Sequence, residues 1–218
     1  NIAGGTLALL WLGIWGLKHI GTFSVLNILM LSNQIFLPIY FLLKYTGEKE
    51  KPGAAAECIK KGLVYLTISL LPCLAIPSAE KMWIALHGGS TYFDFEEDHT
   101  GIVAIKHAYE DHKFIFINGE GHSEVPFGSY HSQVGLLPLF LHHNPEHIAI
   151  IGLGSGDTAY SASSHKNTKT ITCIEIVEAQ PRLLRRHAEK NNYEPLKLLF
   201  QDPRVKIVTG DGRRYIES

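Results

Sequence analysis

The sequence predicts an α/β protein in which N-terminal transmembrane helices precede a small β-hairpin region and an incomplete Rossmann-like domain. Three observations predict it. Long uncharged apolar runs crowd the chain before residue 86. Short apolar stretches then close on the turn pair Asn118-Gly119, as hairpins do. From residue 147 onward a strand, a glycine turn, a helix and a second strand follow in the order of a parallel α/β sheet. The expected division is 1–86 transmembrane helical, 87–128 hairpin region and 129–218 partial α/β domain.

Within the first part, Ile20–Leu43 and Gly62–Ala79 contain no charged side chain. At about 1.5 Å per residue each is long enough, or nearly so, to cross about 30 Å of hydrocarbon. Ile2–Leu17 is a third run, ended by Lys18 and His19. A signal peptide would account for the first run but not for the two after it. Ile35–Leu43 and Leu63–Ala75 are apolar around nearly the whole helix, unlike a core helix with one apolar stripe. Asn27, Asn33 and Gln34 can hydrogen-bond between such helices, and Pro38, Pro72 and Pro77 can kink or end them.

The connection Lys44–Lys61 carries Lys44, Lys49, Lys51, Lys60 and Lys61, which the positive-inside tendency places in the cytoplasm. A single crossing by Gly62–Ala79 would then put the rest of the chain on the opposite side. Three readings stay open: Pro72 and Pro77 make that segment re-entrant, the charge rule does not apply, or the α/β domain uses no cytoplasmic nucleotide.

The hairpin region, residues 91–126, should hold strands over Ile102–His107 and Lys113–Ile117, with a third over His122–Val125. Tyr130–His142 should be helical, with Pro138 kinking it or delaying its start. Glu146–Ile151 is a strand feeding into Gly152-Leu153-Gly154-Ser155-Gly156-Asp157, after which Thr158–Ser164 starts a helix. Glycines at 152, 154 and 156 let a tight turn press its backbone against a ligand. The pattern G-x-G-x-G differs from the dinucleotide fingerprint G-x-G-x-x-G. Thr170–Ile176 is the second strand. Glu175 at its end lies about 20 residues past the turn, where an acidic side chain reaches ribose hydroxyls. Ala179–Lys190 is a helix with Leu183, Leu184 and Ala188 inward and Arg182, Arg185 and Arg186 outward as solubilising charge. Val205–Val208 is the third strand, closed by Gly210-Asp211-Gly212, where Asp211 can accept from a base amino group.

Composition excludes several classes. With Lys+Arg 20 against Asp+Glu 21 and net charge -1, no cationic field argues for nucleic acid. Cys58, Cys73 and Cys173 are odd in number and far apart, so neither a disulfide scaffold nor a close metal pair is expected. His142, His143 and His147 flank Asn144-Pro145 in a loop and read as polar surface, so no metal is expected.

The motifs NGEGHSEVPFGSYH, IIGLGSGD, CIEI and DPRVKIVTGDG resemble those of the polyamine aminopropyltransferases, the spermidine synthases, especially membrane-attached bacterial members. The resemblance spans about residues 98–215 and implies an incomplete chain with a methyltransferase-type α/β domain. It implies decarboxylated S-adenosylmethionine as cofactor, with Gly152, Gly154, Gly156 and Asp157 along the cofactor loop, Glu175 on the ribose and Asp211 on the adenine. Tyr130 and His131 match the pair beside the amine pocket. The implied reaction moves an aminopropyl group to a polyamine such as putrescine. The implied location is the bacterial inner membrane, with the α/β domain in the cytoplasm where the cofactor is found. A homo-oligomer is compatible with all of this.

The chain departs from the family pattern at named positions. Ser132 stands where glutamate follows Tyr-His, Thr100 and Gly101 stand near an expected glutamine, and Val177 replaces an aspartate. A cationic amine needs carboxylates around it, and Glu120 and Glu124 are substitutes that no motif places. The carboxylate that accepts the amine's proton follows the family's fourth strand, beyond Ser218, so no catalytic residue is assigned. Two alternatives stand beside the transferase: an S-adenosylmethionine-dependent methyltransferase, and a non-catalytic membrane sensor or transport-associated domain.

Overall fold

In a computed structural model, residues 2–34, 36–47, 54–75, 77–88 and 93–217 are described. The chain divides into two compact units, Asn1–Trp83 and Ile84–Ser218. The expected regions 87–128 and 129–218 thus fall together in the second unit.

The N-terminal unit is helical. Helix α1 (Ile2–Ala8) runs through a π-helical stretch, Leu9–Gly16, into α2 (Leu17–Gln34). Helices α3 (Phe36–Gly47) and α4 (Ala54–Ala75) follow, and α5 (Ala79–Leu86) spans the division between the units. Phe41 of α3 stacks on Tyr65 of α4, with ring centroids 5.4 Å apart. Gly62 sits opposite the Phe41 ring, where a Cβ would lie 3.9 Å from Phe41 Cδ2, an ordinary van der Waals contact.

Among the described residues, one apolar stretch, Gly4–Ser32, is long enough to cross a membrane by length and composition, and its backbone leaves the helical region at Gly21. That test is also passed by core helices and signal sequences. The apolar runs Ile20–Leu43 and Gly62–Ala79 are not single uninterrupted helices either. Ile20–Leu43 is broken at Gly21, whose φ of 76° and ψ of 166° leave the helical region. Gly62–Ala79 is interrupted where α4 ends at Ala75. Its helical part, residues 62–75, rises only about 21 Å at 1.5 Å per residue. Ser78 then caps a new helix by accepting from Lys81 N at its hydroxyl, 3.3 Å. The lysines at 49 and 51 and the side chains of Asn33, Pro38, Pro72, Cys58 and Cys73 lie outside the described residues.

The C-terminal unit begins with an antiparallel meander of β1 (Phe93–Asp98), β2 (Gly101–His107), β3 (Lys113–Ile117) and β4 (Glu120–Val125), in spatial order β1-β2-β3-β4. Asn118 and Gly119 turn β3 into β4 with positive φ at both positions, as a two-residue hairpin requires. Asn118 Oδ1 also accepts from Ile102 N at 2.9 Å, stitching the turn to β2. Helix α6 (Tyr130–Leu141) follows, with Pro138 inside it.

The parallel sheet consists of β5 (His147–Ile151), β6 (Thr170–Glu175) and β7 (Val205–Thr209), ordered β5-β6-β7. Helices α7 (Asp157–Ser163), α8 (Ala179–Lys190), α9 (Glu194–Gln201) and α10 (Gly212–Glu217) complete it. Central β6 buries Ile171, Cys173, Ile174 and Glu175, as expected for a strand paired on both edges. One continuous core joins Val103, Ile105, Ile115 and Val125 of the meander to Leu183, Leu184, Leu196 and Leu199 of the α/β layer. That shared burial makes the two regions one unit, because neither has a separate interior to close.

Polar straps add direction to this packing. Arg182 binds Glu96 at 2.7 Å and Asp98 at 2.6 Å, and Arg186 binds Glu96 at 2.7 Å and donates to Phe95 O at 2.9 Å. Arg185 lies over the Phe200 ring at 4.3 Å. The three arginines therefore have specific partners, which corrects their reading as solubilising charge. Thr100, near the expected glutamine position, joins the same seam by accepting from Glu178 N at 2.8 Å.

Candidate functional site

The glycine turn has the backbone its sequence calls for. Gly152, Gly154 and Gly156 have φ of 88°, 56° and 93°, a region that L side chains rarely enter. At Gly156 a Cβ would also come within 2.7 Å of Leu199 Cδ2, so the turn is pressed onto α9. Gly156 N closes the turn on Leu153 O at 2.9 Å, and Gly152 N bonds Ile174 O at 2.8 Å.

Beside this turn lies a cavity of about 1050 Å³, large enough for a nucleoside with a substituent. Gly152, Gly154, Ser155, Asp157 and Glu175 line it, as do Tyr130 and His131, so the structure brings together most of the expected site. Asp211 is different. It is exposed, is not part of that lining, and accepts from Arg213 N at 2.8 Å and Arg214 N at 3.3 Å to cap α10.

The two inner carboxylates are held by neutral donors. Glu175 is 4% exposed, with Leu153 N donating to Oε2 and Val177 N donating to Oε1, each at 2.8 Å. A carboxylate offers about four lone-pair positions, so each oxygen keeps one for a ligand. Val177, where the resemblance leads to an aspartate, contributes its amide to this clamp. Asp157 is 1% exposed. Its Oδ1 accepts from Ser132 Oγ at 2.5 Å and Ser161 Oγ at 3.1 Å, and its Oδ2 accepts from Gly128 N at 3.3 Å. Asp157 thus acts as a buried staple between the starts of α6 and α7. Among the described residues, no lysine, arginine or histidine forms an ion pair with either carboxylate.

Tyr130 is exposed at the cavity mouth. His131 Nε2 bonds His122 O at 2.9 Å. A carbonyl can only accept, so Nε2 carries the hydrogen and, in the neutral ring, Nδ1 remains an acceptor. Of the two substitute carboxylates, Glu120 lines the cavity and Glu124 does not. Glu124 instead faces His112 at 3.8 Å.

Three polar residues escaped the sequence reading: Ser123, Ser155 and Gln180. Each is buried and has a side-chain oxygen without a hydrogen-bond partner, and all three gather around Gly154. A Cβ on Gly154 would lie 3.3 Å from Ser123 Oγ, and Gln180 Nε2 donates to Gly154 O at 2.5 Å. The signal was present for Gln180, which begins the i, i+3, i+4, i+7 stripe completed by Leu183, Leu184 and His187.

No group of three or more metal-binding side chains occurs among the described residues. Burial raises the Cys173 thiol, with Glu175 adding to the effect, to about 12. A thiol in that state is a poor nucleophile near neutral pH.

Residues 128–218 match the model of the spermine/spermidine synthase domain. This segment is similar to the spermidine synthase family. A polyamine aminopropyltransferase of Thermoanaerobacter sp. is 32% identical over 90 residues, covering 41% of this chain and 30% of the relative. One from Shigella boydii is 31% identical over 89 residues with the same coverages. The chain therefore spans about a third of the length of the curated relatives it matches. Among solved structures, spermidine synthase from Thermotoga maritima is similar at 24% identity and a TM-score of 0.47, covering 56% of this chain and 41% of that one. The matched segment starts just before α6 and includes the glycine turn, Glu175 and Asp211.

Proposed function

We propose that the C-terminal unit binds decarboxylated S-adenosylmethionine beside the glycine turn, as the donor half of an enzyme that transfers an aminopropyl group to a polyamine such as putrescine. The observation that carries this reading is the pair Asp157 and Glu175, two buried carboxylates with only neutral partners. Burying charge without a counter-charge is costly, and a ligand with a sulfonium and an ammonium supplies the missing positive charge.

In this reading Glu175, pre-oriented by two backbone amides, receives the ribose hydroxyls on its remaining lone pairs. Gly152, Gly154 and Gly156 let the adenosyl group lie against the turn. Tyr130 and His131 flank the acceptor amine, and His131 Nδ1 is free to accept a hydrogen bond from it. Asp211 reaches the adenine only by giving up its position over α10. The bound donor brings its own leaving group, so this chain contributes mainly orientation and charge. The N-terminal unit holds the protein at a membrane, through Gly4–Ser32 and the exposed apolar side chains of Leu63, Val64, Ile68 and Leu71 on α4. The parts in this reading are 1–86 for attachment and 87–218 for binding.

Titration calorimetry on the full chain in detergent tests the proposal. Decarboxylated S-adenosylmethionine should bind more tightly than S-adenosylmethionine, whose carboxylate adds negative charge to an acidic site. Equal or reversed preference rejects the aminopropyl reading in favour of a methyltransferase, and no binding of either by folded protein rejects the adenosyl site.

A further inference from the structure

Gln180 is fully buried on the face of α8 that also buries Leu183, Leu184 and His187. Packing alone does not call for an amide there. Burying one with an atom unsatisfied costs about 1–3 kcal/mol, and Gln180 Oε1 has no partner. Its other end donates to the carbonyl of Gly154 at 2.5 Å.

That bond governs the next peptide group. In a planar trans peptide the C=O and the following N–H point in opposite directions. Holding the Gly154 carbonyl toward α8 therefore turns the Ser155 N–H away from α8. Gly154 and Ser155 line the cavity and Gln180 does not. Among the described residues the Ser155 amide has no backbone acceptor, and its hydroxyl is buried without a partner. Because residue 154 is glycine, the peptide could flip at small steric cost if nothing held it.

We propose that Gln180 is a positioning residue: by fixing the Gly154 carbonyl it aims the Ser155 amide, as a donor, at an acceptor oxygen of a nucleoside ligand. The inference rests on the adenosyl-site reading, and it adds the group that sets the turn and the contact the turn makes.

The test uses the full chain with Gln180→Leu, which keeps the bulk, and Gln180→Glu, which keeps the shape but cannot donate to a carbonyl when ionised. Two readouts are needed. One is calorimetric binding of 5′-methylthioadenosine, an uncharged nucleoside probe. The other is amide hydrogen exchange at Gly156, whose bond to Leu153 O spans the same turn. Both variants should bind the probe about tenfold more weakly or worse and exchange faster at Gly156, while Gln180→Leu keeps the melting temperature of the parent. Affinity within twofold together with unchanged exchange overturns the proposal. If the parent binds no adenosyl probe, the adenosyl site fails, and faster exchange at Gly156 in the variants still decides whether Gln180 holds the turn.

Discussion

Ser132 Oγ donates to Asp157 Oδ1 at 2.5 Å, joining the first turn of α6 to the first residue of α7. This bond explains why a hydroxyl occupies the position where the family resemblance leads to glutamate. A carboxylate there would face a second carboxylate that is 1% exposed, and like charges at close range exclude joint ionisation. Ser132→Ala should lower unfolding free energy by about 1.5–3 kcal/mol, the range for a hydrogen bond to a charged group. Ser132→Glu should cost more. Denaturant melts of the three proteins check the order, and a glutamate variant as stable as the parent would falsify it.

Gly135 places α6 against α7 at backbone distance. A Cβ there would collide with the carbonyl oxygen of Thr158 and reach within 2.9 Å of Ser161 Cβ. Backbone cannot move aside as a flexible side chain can. Gly135→Ala should therefore destabilise by about 1–3 kcal/mol through overpacking, despite alanine's better helix propensity. Thermal melts of the pair measure it. A stabilised variant would show that the α6–α7 contact is looser than the structure has it.

Much of this was legible in the sequence where local chemistry and tertiary structure agree. The hairpin at Asn118-Gly119, the turn at Gly152–Gly156 and the strand ending in Glu175 each declare themselves through residues that few other conformations suit. Strand β1 did not, because Phe93–Asp98 is mostly acidic. It is a strand because Asp94, Glu96 and Asp98 find cations on α8, and that pairing spans more than 80 residues of sequence. Helix α9 hid behind Pro195, which occupies its first turn where proline is tolerated. For the site, residue type located Glu175 and the glycines, but the partners of Asp157 and the placement of Asp211 depend on contacts across elements. The broken membrane runs show the same limit, since uncharged composition alone does not reveal that Gly21 leaves the helix.

Asp94 makes the seam between the meander and α8 sensitive to acid. Its Oδ2 meets His187 Nδ1 at 2.7 Å and its Oδ1 meets Lys190 Nζ at 2.7 Å. Burial alone would raise this carboxyl, but the bonds to His187 and Lys190 outweigh it and bring the pKa from 3.8 to about 2. A group depressed on folding stabilises the protein above its unfolded pKa and loses that contribution as pH falls through its folded value. Asp94 should therefore add stability near neutrality and lose it between about pH 4 and pH 2. Asp94→Asn should be less stable than the parent at pH 6, with the gap narrowing across that acid window. Parallel melts over pH test it, and a gap that widens as pH falls rejects Asp94 as the source.

Glu175 offers the sharpest separation of architecture from binding. Its two oxygens each take one backbone amide, from Leu153 and Val177. Glutamine in its place has one oxygen and one NH2, so one of those buried amides faces a donor instead of an acceptor. Glu175→Gln should thus cost about 1–3 kcal/mol in the absence of any ligand, from a change that barely alters volume. It should also remove one of the two buried negative charges that favour a cationic adenosyl ligand, so affinity for decarboxylated S-adenosylmethionine should fall further than affinity for uncharged 5′-methylthioadenosine. Melts of the free protein isolate the first effect, and calorimetry with the two ligands isolates the second. Equal losses for both ligands would mean that Glu175 shapes the turn without acting through its charge.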